Sequence, residues 1–176
     1  DLGLLIIDEE HKFGVSHKEK LRLIMRGVDT LTLSATPIPR TLQMSLSGVR
    51  DISVIDTPPE DRRPVATYVG EFDLELVKRA VRFEVSRGGQ VFYVHNRIQT
   101  ISKVEKMLRD ALPGISIAVA HGRMHEDDLE LAMWEFSERC YDILLCTTII
   151  ESGLDLPNVN TLIVDRADRM GLAQLY

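Results

Sequence analysis

The sequence predicts an α/β protein built of two lobes with parallel sheets, of which the first lobe is incomplete. Three observations lead to this prediction. Short apolar runs alternate with amphipathic helical segments throughout the 176 residues, as in consecutive βαβ units. The apolar runs lack polar alternation, which is typical of strands buried on both faces of a parallel sheet. The segment 56–64 interrupts the pattern after only a few elements.

The first part of the chain contains three predicted strands and two predicted helices. The strands are the apolar runs at 4–7, 31–34 and 52–55. The first helix is SHKEKLRLIM, for which Ser16 is a candidate N-cap. The second helix is PRTLQMSLSG, with Pro39 in its first turn and Gly48 at its end.

A linker is predicted between the two parts. The segment DTPPEDRRP (56–64) holds three prolines and five charged residues. Proline excludes a helix interior and disfavours a central strand, so we expect this segment to be extended and exposed. The predicted organisation is therefore a first lobe at 1–56, a linker at 57–64 and a second lobe at 65–176.

The second part repeats the alternation with five predicted strands and three predicted helices. The strands are the apolar runs at 65–70, 90–95, 115–121, 142–147 and 161–166. Apolar residues at helical spacing predict the helices, at 73–87, from Ile101 to Leu112 and from Glu126 to Phe136. The third helix has three acidic residues in its first turn, which favours the helix dipole.

Composition and charge exclude several classes of protein. With 44% hydrophobic and 27% charged residues, the chain is an ordinary globular sequence, and no apolar run approaches the roughly 18 residues of a membrane span. The net charge of −6 argues against a simple nucleic-acid-binding domain, so any such contact must be local. Cys140 and Cys146 lack metal-site spacing and are expected to be reduced thiols. Because the chain opens on Asp1, directly before a strand, we expect it to be a piece of a longer protein.

Asp8 and Glu9 are the first candidate catalytic residues. They follow the apolar strand 4–7, and ligands of open parallel sheets bind beyond the carboxyl ends of the strands. Asp-Glu at such an end is the Walker B arrangement, in which Asp8 would hold Mg²⁺, through water, and Glu9 would orient the water that attacks the γ-phosphate. The alternative is a strand that ends in solvated acids.

The neighbouring residues strengthen the first interpretation through a resemblance. DEEHKFGV (8–15) resembles motif II of superfamily 2 helicases and translocases, which implies that His11 couples the nucleotide site to the neighbouring strand. Ser34-Ala35-Thr36, at the end of the next strand, resembles motif III of that superfamily. The resemblance implies that the Ser34 and Thr36 hydroxyls form hydrogen bonds toward the motif II side chains.

Three further segments of the second part resemble motifs of the same superfamily. TTIIESGLDLP (147–157) resembles motif V, which implies contact of Thr147 and Thr148 with the nucleic-acid backbone and of Gly153 and Asp155 with the nucleotide. VFYVHNR (91–97) resembles motif IV. AHGRM (120–124) resembles a turn in which Gly122 lets the backbone approach a phosphate. His121 and His125 could instead form a metal pair, but no third ligand is evident, and a surface turn is favoured.

Over its whole length the chain resembles the translocase module of bacterial transcription-repair coupling factors. The stretches LSATPIPRTLQMSLSGVRDISVIDTPP and CTTIIESGLDLPNVNTLIVDRADRMGLAQLY carry this resemblance most strongly. RecG-type branch-migration helicases come next. Two details favour the coupling factors: Glu10, where RecG proteins typically carry Gln, and the amino-acid sequence around Thr147-Thr148.

The resemblance implies an ATP-driven motor on double-stranded DNA, built of two RecA-like lobes in the bacterial cytoplasm, with ATP and Mg²⁺ as cofactors. RNA polymerase and excision-repair proteins would be partners through domains outside this stretch. The sequence contains no GxxxxGK phosphate loop, so the 176 residues alone are expected to be inactive. Two rival interpretations are a degenerate ATPase that only docks a partner and a metal-dependent hydrolase built on Asp8, Glu9 and His11.

One geometric prediction follows from the strand order of this ATPase class. Residues 31–34 should pair in parallel with residues 4–7, which brings Ser34 and Thr36 beside Asp8 and Glu9. Residues 52–55 should not pair with residues 31–34, because the phosphate-loop strand of the class lies between them. A slot one strand wide would leave the backbone N–H and C=O groups that face it unpaired, so we expect the first lobe to be unstable alone.

Overall fold

The computed structural model describes residues 2–9, 13–25, 27–34, 51–55, 57, 64–148 and 156–175. The chain divides into two units, residues 1–65 and residues 66–175, called the first and the second unit below. The predicted helix at 39–48 and almost all of the predicted linker lie outside the described residues.

The first unit contains two parallel strands joined by a helix. Strand β1 (Leu4–Asp8) pairs with β2 (Asp29–Leu33), and helix α1 (Val15–Ile24) connects them. The predicted parallel pairing of these strands is confirmed, although the register differs: residues 31–33 pair with 6–8. The prediction of Ser16 as the N-cap is wrong, because Gly14 holds the extended cap conformation and Val15 is already helical.

Two expectations about strands of the first unit are wrong. Burial of both faces fails for β1, where Leu4 is 55% and Ile6 58% exposed while Ile7 is buried. Residues 51–55 form no strand. A strand exists through its hydrogen-bonded ladder, and within the described residues no segment pairs with 52–55. The predicted gap of one strand between 52–55 and β2 stays a prediction.

The second unit contains a four-stranded parallel sheet. Its strands are β3 (Gln90–His95), β4 (Ile117–Ala120), β5 (Ile143–Cys146) and β6 (Val159–Asp165). Their order across the sheet is β4-β5-β3-β6. Four of the five strands predicted for this part are therefore confirmed. The fifth is wrong: residues 64–70 form no strand, and Val65, Tyr68 and Val69 are largely exposed.

Helices cover the sheet of the second unit. The predicted helices are confirmed as α2 (Leu74–Ser86), α3 (Ile98–Ala111) and α4 (Glu126–Ser137), and a 3₁₀ turn (Ala167–Arg169) and the short helix α5 (Leu172–Leu175) follow β6. Helix α2 begins after Asp73, whose side chain accepts hydrogen bonds from the amides of Glu75 and Leu76. None of the helices described here is long and apolar enough to cross a membrane.

The core of the second unit has two layers, one on each face of the sheet. One layer packs α2 and α3 against alternate strand residues that include Val91, Tyr93 and Leu145. The other packs α4, through Phe136, against the intervening residues, among them Leu144. Side chains alternate between the faces of a strand, so both faces are filled. The fold is an α/β layered structure in which the carboxyl ends of the four strands share one edge.

Candidate functional site

At the carboxyl end of β1, the backbone turns sharply at Glu9. Asp8 is the last residue of the strand and is exposed, whereas Glu9 is half-buried. Glu9 has a φ of 50°, a left-handed conformation that costs a non-glycine residue about 1 to 2 kcal/mol. Its amide still donates to the Leu33 carbonyl at 2.9 Å. Asp8 and Glu9 therefore lie one after the other at the carboxyl end of β1, the edge where ligands of parallel sheets bind.

Ser34 lies at the same edge of the first unit. Leu33 is the ladder partner of Asp8, and Ser34 follows directly and is exposed. The structure thus brings Asp8, Glu9 and Ser34 together at the ends of two adjacent strands. His11 and Thr36 lie outside the described residues.

At the carboxyl edge of the second unit, the two candidate threonines differ in exposure. Thr147 is only 6% exposed, and its amide extends the sheet by donating to the Ala120 carbonyl at 3.2 Å. Thr148 is exposed, and its hydroxyl donates to Asn96 Oδ1 at 3.2 Å. Of the pair, Thr148 is the residue that presents a side chain to solvent. Gly153 and Asp155 lie outside the described residues.

Gly122 lies in the exposed turn that follows β4. The turn is closed by a hydrogen bond from the Met124 amide to the His121 carbonyl at 3.0 Å. The glycines with positive φ among the described residues are Gly27, Gly88 and Gly114, so the backbone at Gly122 does not require glycine for its conformation. In the part of the chain that the structure describes, no three His, Cys, Asp or Glu residues are grouped closely enough to bind a metal ion.

The structure also places two residues at this edge that the sequence analysis did not identify. His95 ends β3 and Asp165 ends β6, and the two are ladder partners. His95 Nδ1 lies 2.6 Å from Asp165 Oδ2. Burial, followed by the charge of Asp165, raises the pKa of the nearby Tyr93. The signal that marked Asp8, a polar residue at the end of an apolar strand, was present at both positions. Their pairing could not be recognised without the strand order.

An ion pair follows β6 at the same edge. Arg166 has a φ of 58°, and its Nε and Nη2 each donate to an Asp168 carboxylate oxygen at 2.9 Å. This bond raises the pKa of Arg166 and lowers that of Asp168. Both side chains are exposed. Asp168 therefore compensates much of the positive charge of Arg166.

Comparison with known proteins defines the family. Residues 73–175 match the family described as the helicase conserved C-terminal domain. The chain belongs to this family. The matched residues contain all the regular elements of the second unit, from α2 to α5, and therefore include Thr147, Thr148 and Gly122 of this helicase domain.

Two curated relatives of this helicase-family chain are transcription-repair coupling factors. The protein from Myxococcus xanthus is 56% identical and that from Staphylococcus epidermidis is 57% identical, each over all 176 residues. The chain spans 15% of the length of these relatives. The predicted resemblance to the coupling factors is confirmed, and it includes the first unit with Asp8, Glu9 and Ser34.

A solved structure of RecG bound to a three-way DNA junction is also similar. It shares 39% sequence identity with the chain and superposes with a TM-score of 0.75. The match covers 99% of this chain and 23% of RecG. The second resemblance predicted from the sequence is thus found in three dimensions, at a lower identity than that of the coupling factors.

Proposed function

We propose that this chain is part of the ATP-driven, double-stranded DNA translocase motor of a bacterial transcription-repair coupling factor. In the whole protein this motor displaces stalled RNA polymerase in the cytoplasm and promotes nucleotide excision repair. The observation that carries the proposal is the 56 to 57% identity to coupling factors across the entire chain, compared with 39% to RecG. RNA polymerase and the repair proteins would bind through parts of the protein beyond these residues.

The first unit would contribute to the nucleotide site. Asp8 fits a magnesium ligand, because it is an exposed carboxylate at the end of a parallel strand and Mg²⁺ prefers oxygen ligands. Bound Mg²⁺ would neutralise charge on the ATP phosphates. Glu9, which follows Asp8 directly in the chain, would orient the attacking water. Ser34 would contact these side chains, together with His11 and Thr36.

The second unit would contribute nucleic-acid and further nucleotide contacts. The exposed Thr148 hydroxyl donates its one hydrogen to Asn96. The Thr148 backbone amide would therefore bind the phosphate oxygen, and backbone amides are frequent partners of phosphate oxygens. Thr147 and the Gly122 turn would support the same contact from adjacent strand ends. Gly153 and Asp155 would approach the nucleotide. Because such contacts carry no base information, they suit a motor that moves along DNA of any sequence.

The decisive experiment tests Glu9 in the full-length protein. Glu9→Gln should keep nucleotide binding and lower the rate of ATP hydrolysis by at least about 100-fold, since a group that acts on the transition state contributes on that order. Steady-state ATPase assays and titration with a fluorescent ATP analogue separate the two effects. Glu19→Gln, an exposed position on α1 of the same unit, is the matched control and should leave both unchanged.

Two outcomes would contradict the assignment of the nucleotide site. Near-normal turnover of Glu9→Gln would remove Glu9 from the chemistry. Robust ATP hydrolysis by the 176-residue chain alone would show that the phosphate-loop contacts expected from elsewhere are not needed.

A RecG-like helicase is the second candidate function, favoured by the TM-score of 0.75 to RecG over 99% of the chain. The two functions differ in substrate. A coupling factor displaces RNA polymerase stalled on linear duplex DNA, whereas a RecG-like enzyme remodels branched DNA. The full-length protein should displace stalled polymerase with ATP. Failure to do so, with efficient unwinding of a three-way junction, would favour the RecG-like function.

A further inference from the structure

His95 is held by hydrogen bonds at both ring nitrogens. Its Nδ1 lies 2.6 Å from Asp165 Oδ2, and its Nε2 lies 2.7 Å from Thr100 Oγ1, in the first turn of α3. The His95 and Asp165 side chains are only 10% and 15% exposed. An imidazole fixed at both nitrogens within a packed site cannot rotate, so its orientation is set by β6 on one side and α3 on the other.

The chemistry of Asp165 determines the direction of its bond to His95. An ionised carboxylate only accepts hydrogen bonds, so His95 Nδ1 carries a hydrogen and donates it to Asp165. On the other side of the ring, Nε2 shares a hydrogen bond with the Thr100 hydroxyl, which also lies 3.4 Å from the Arg97 carbonyl. A bond to a carboxylate is stronger than one between neutral groups, and partial burial strengthens it further.

This arrangement fixes the backbone that leaves β3. The Arg97 amide donates to the His95 carbonyl at 2.8 Å, and the Thr100 amide donates to the Arg97 carbonyl at 3.1 Å. Asn96 lies between His95 and Arg97 in the chain, and its Oδ1 accepts a hydrogen bond from the Thr148 hydroxyl at 3.2 Å. The Asp165–His95 pair is therefore connected through one residue to the candidate nucleic-acid contact.

We propose that His95 is a positioning residue, which holds Asn96, and through it the Thr148 hydroxyl, so that the backbone amide of Thr148 meets a phosphate of the nucleic-acid backbone in one fixed geometry. The inference rests on the proposed function and deepens it. Three strand ends are tied together by this connection: β6 through Asp165, β3 through His95, and β5 through Thr148. A rigid supporting shell of this kind keeps a binding group in its productive geometry.

The molecule offers a matched control at the opposite end of the same strand. Gln90 is also buried, at 4% exposure, and also makes two side-chain hydrogen bonds, from Nε2 to the carbonyls of Phe136 and Tyr141, each 2.7 Å long. It lies at the amino end of β3, far along the strand from Asn96 and Thr148. Loss of either residue should destabilise the fold, but only loss of His95 should disturb the nucleic-acid contact.

The test measures DNA-stimulated ATP hydrolysis in the full-length protein with a linear duplex as the probe. His95→Phe removes both ring hydrogen bonds and keeps a planar aromatic ring, which is larger than imidazole. The DNA concentration for half-maximal stimulation (KM for DNA) should rise about tenfold, while kcat at saturating DNA changes by less than about twofold, because only the positioning of one contact is lost. Gln90→Met should lower Tm similarly and leave KM for DNA unchanged.

A conservative variant and a milder one complete the design. His95→Gln can donate to Asp165 and accept from Thr100 through its amide, so it should restore KM for DNA to within about threefold of the wild type. Thr100→Val removes the Nε2 bond and the 3.4 Å bond from the Thr100 hydroxyl to the Arg97 carbonyl, and leaves the bond to Asp165 in place. It should produce an intermediate increase, which keeps the test decisive if His95→Phe does not fold. Hydrogen exchange at the amides of 96–97 and 148 should become faster in His95→Phe and not in Gln90→Met.

The possible failures are distinguishable. A wild-type protein whose ATPase activity does not respond to DNA would overturn the proposed function and this inference together. A normal DNA response in the wild type, with His95→Phe and Gln90→Met indistinguishable in KM for DNA and in exchange at 96–97 and 148, would overturn the positioning role alone. His95 would then be a structural residue of the sheet.

Discussion

The two units contain the same kind of apolar parallel strand in different surroundings. All four residues of β5 are buried, and Leu144 and Leu145 are completely inaccessible. In β1, by contrast, Leu4 and Ile6 are more than half exposed. The difference does not originate in the strand sequences, LLIID and ILLC.

Neighbouring elements explain the difference in burial. Strand β5 lies between β4 and β3, with helices packed on both faces of the sheet. Among the described residues of the first unit, β1 has β2 as its one ladder partner. Two strands have too little surface to bury a face of apolar side chains, and such pairs are marginally stable in water. An apolar run therefore predicts a strand, but the number of its neighbours decides whether it is buried.

The largest expected effect comes from truncating a leucine in each unit. Leu145→Ala should lower the free energy of unfolding of the 176-residue chain by about 2 to 5 kcal/mol, because it leaves a cavity in a closed core. Leu4→Ala, the matched change in β1, should cost less than about 1 kcal/mol, because Leu4 is 55% exposed. Urea unfolding followed by circular dichroism measures both.

The same pair of variants tests the expectation that the first lobe is incomplete. In the full-length protein the two costs should converge, because additional strands and helices would cover Leu4. A cost below about 1 kcal/mol for Leu4→Ala in the full-length protein as well would show that β1 is genuinely a surface strand. The predicted lobe architecture would then be wrong.

The elements predicted from the sequence agree with the structure where a strand has neighbours to pair and pack with. Helices α2, α3 and α4 and strands β3 to β6 were predictable, since helical spacing and short apolar runs coincide there with real neighbours. The runs at 52–55 and 65–70 carry the same signal but form no strand in the structure. Local sequence contains no information on which strands are adjacent, and this is also why the His95–Asp165 pair was missed.

The candidate site was predictable to a similar degree. Asp8, Glu9 and Ser34 were expected at adjacent strand ends, and the pairing of β1 with β2 brings them there. The different exposure of Thr147 and Thr148 could not be predicted. It depends on how far the β5 ladder continues. The hydrogen bond from the Thr147 amide to the Ala120 carbonyl extends the ladder to Thr147.

An intermediate effect is expected from Glu84, a buried carboxylate of the second unit. Glu84 is 1% exposed and accepts hydrogen bonds from Arg87 Nε and Nη2 and from the Thr161 hydroxyl, which joins α2 to β6. Burial raises its pKa, but the bonds from Arg87 and Thr161 outweigh burial and hold the pKa below 4.5. Glu84→Gln should cost about 1 to 3 kcal/mol at pH 7, because a hydrogen-bonded charge is lost.

The pH dependence of the Glu84 effect has a defined sign. A carboxylate whose pKa is lower in the folded state stabilises the fold above its unfolded pKa, and this contribution is lost as the pH falls through the folded value. The difference in unfolding free energy between wild type and Glu84→Gln should therefore shrink below about pH 4.5. Glu75→Gln, which alters an exposed pair with Lys78, should show almost no difference at any pH. A difference that stays constant below about pH 4.5 would show that the bonds from Arg87 and Thr161 do not lower the pKa of Glu84.

The smallest expected effect concerns how the first helix of each unit begins. Asp73 caps α2 by accepting from the Glu75 amide at 2.8 Å and the Leu76 amide at 3.3 Å, whereas α1 begins at Gly14 without a side-chain cap. Asp73→Ala should cost about 1 kcal/mol. Gly14→Asp should stabilise the chain by a few tenths of a kcal/mol, because Gly14 already has extended φ and ψ angles and a Cβ there meets no atom within 4 Å. Gly14→Ala, which adds the Cβ without an acceptor, is the control for Gly14→Asp. If Gly14→Asp stabilises no more than Gly14→Ala in unfolding experiments, capping is not what distinguishes α1 from α2, and the weakness of the first unit lies in its packing alone.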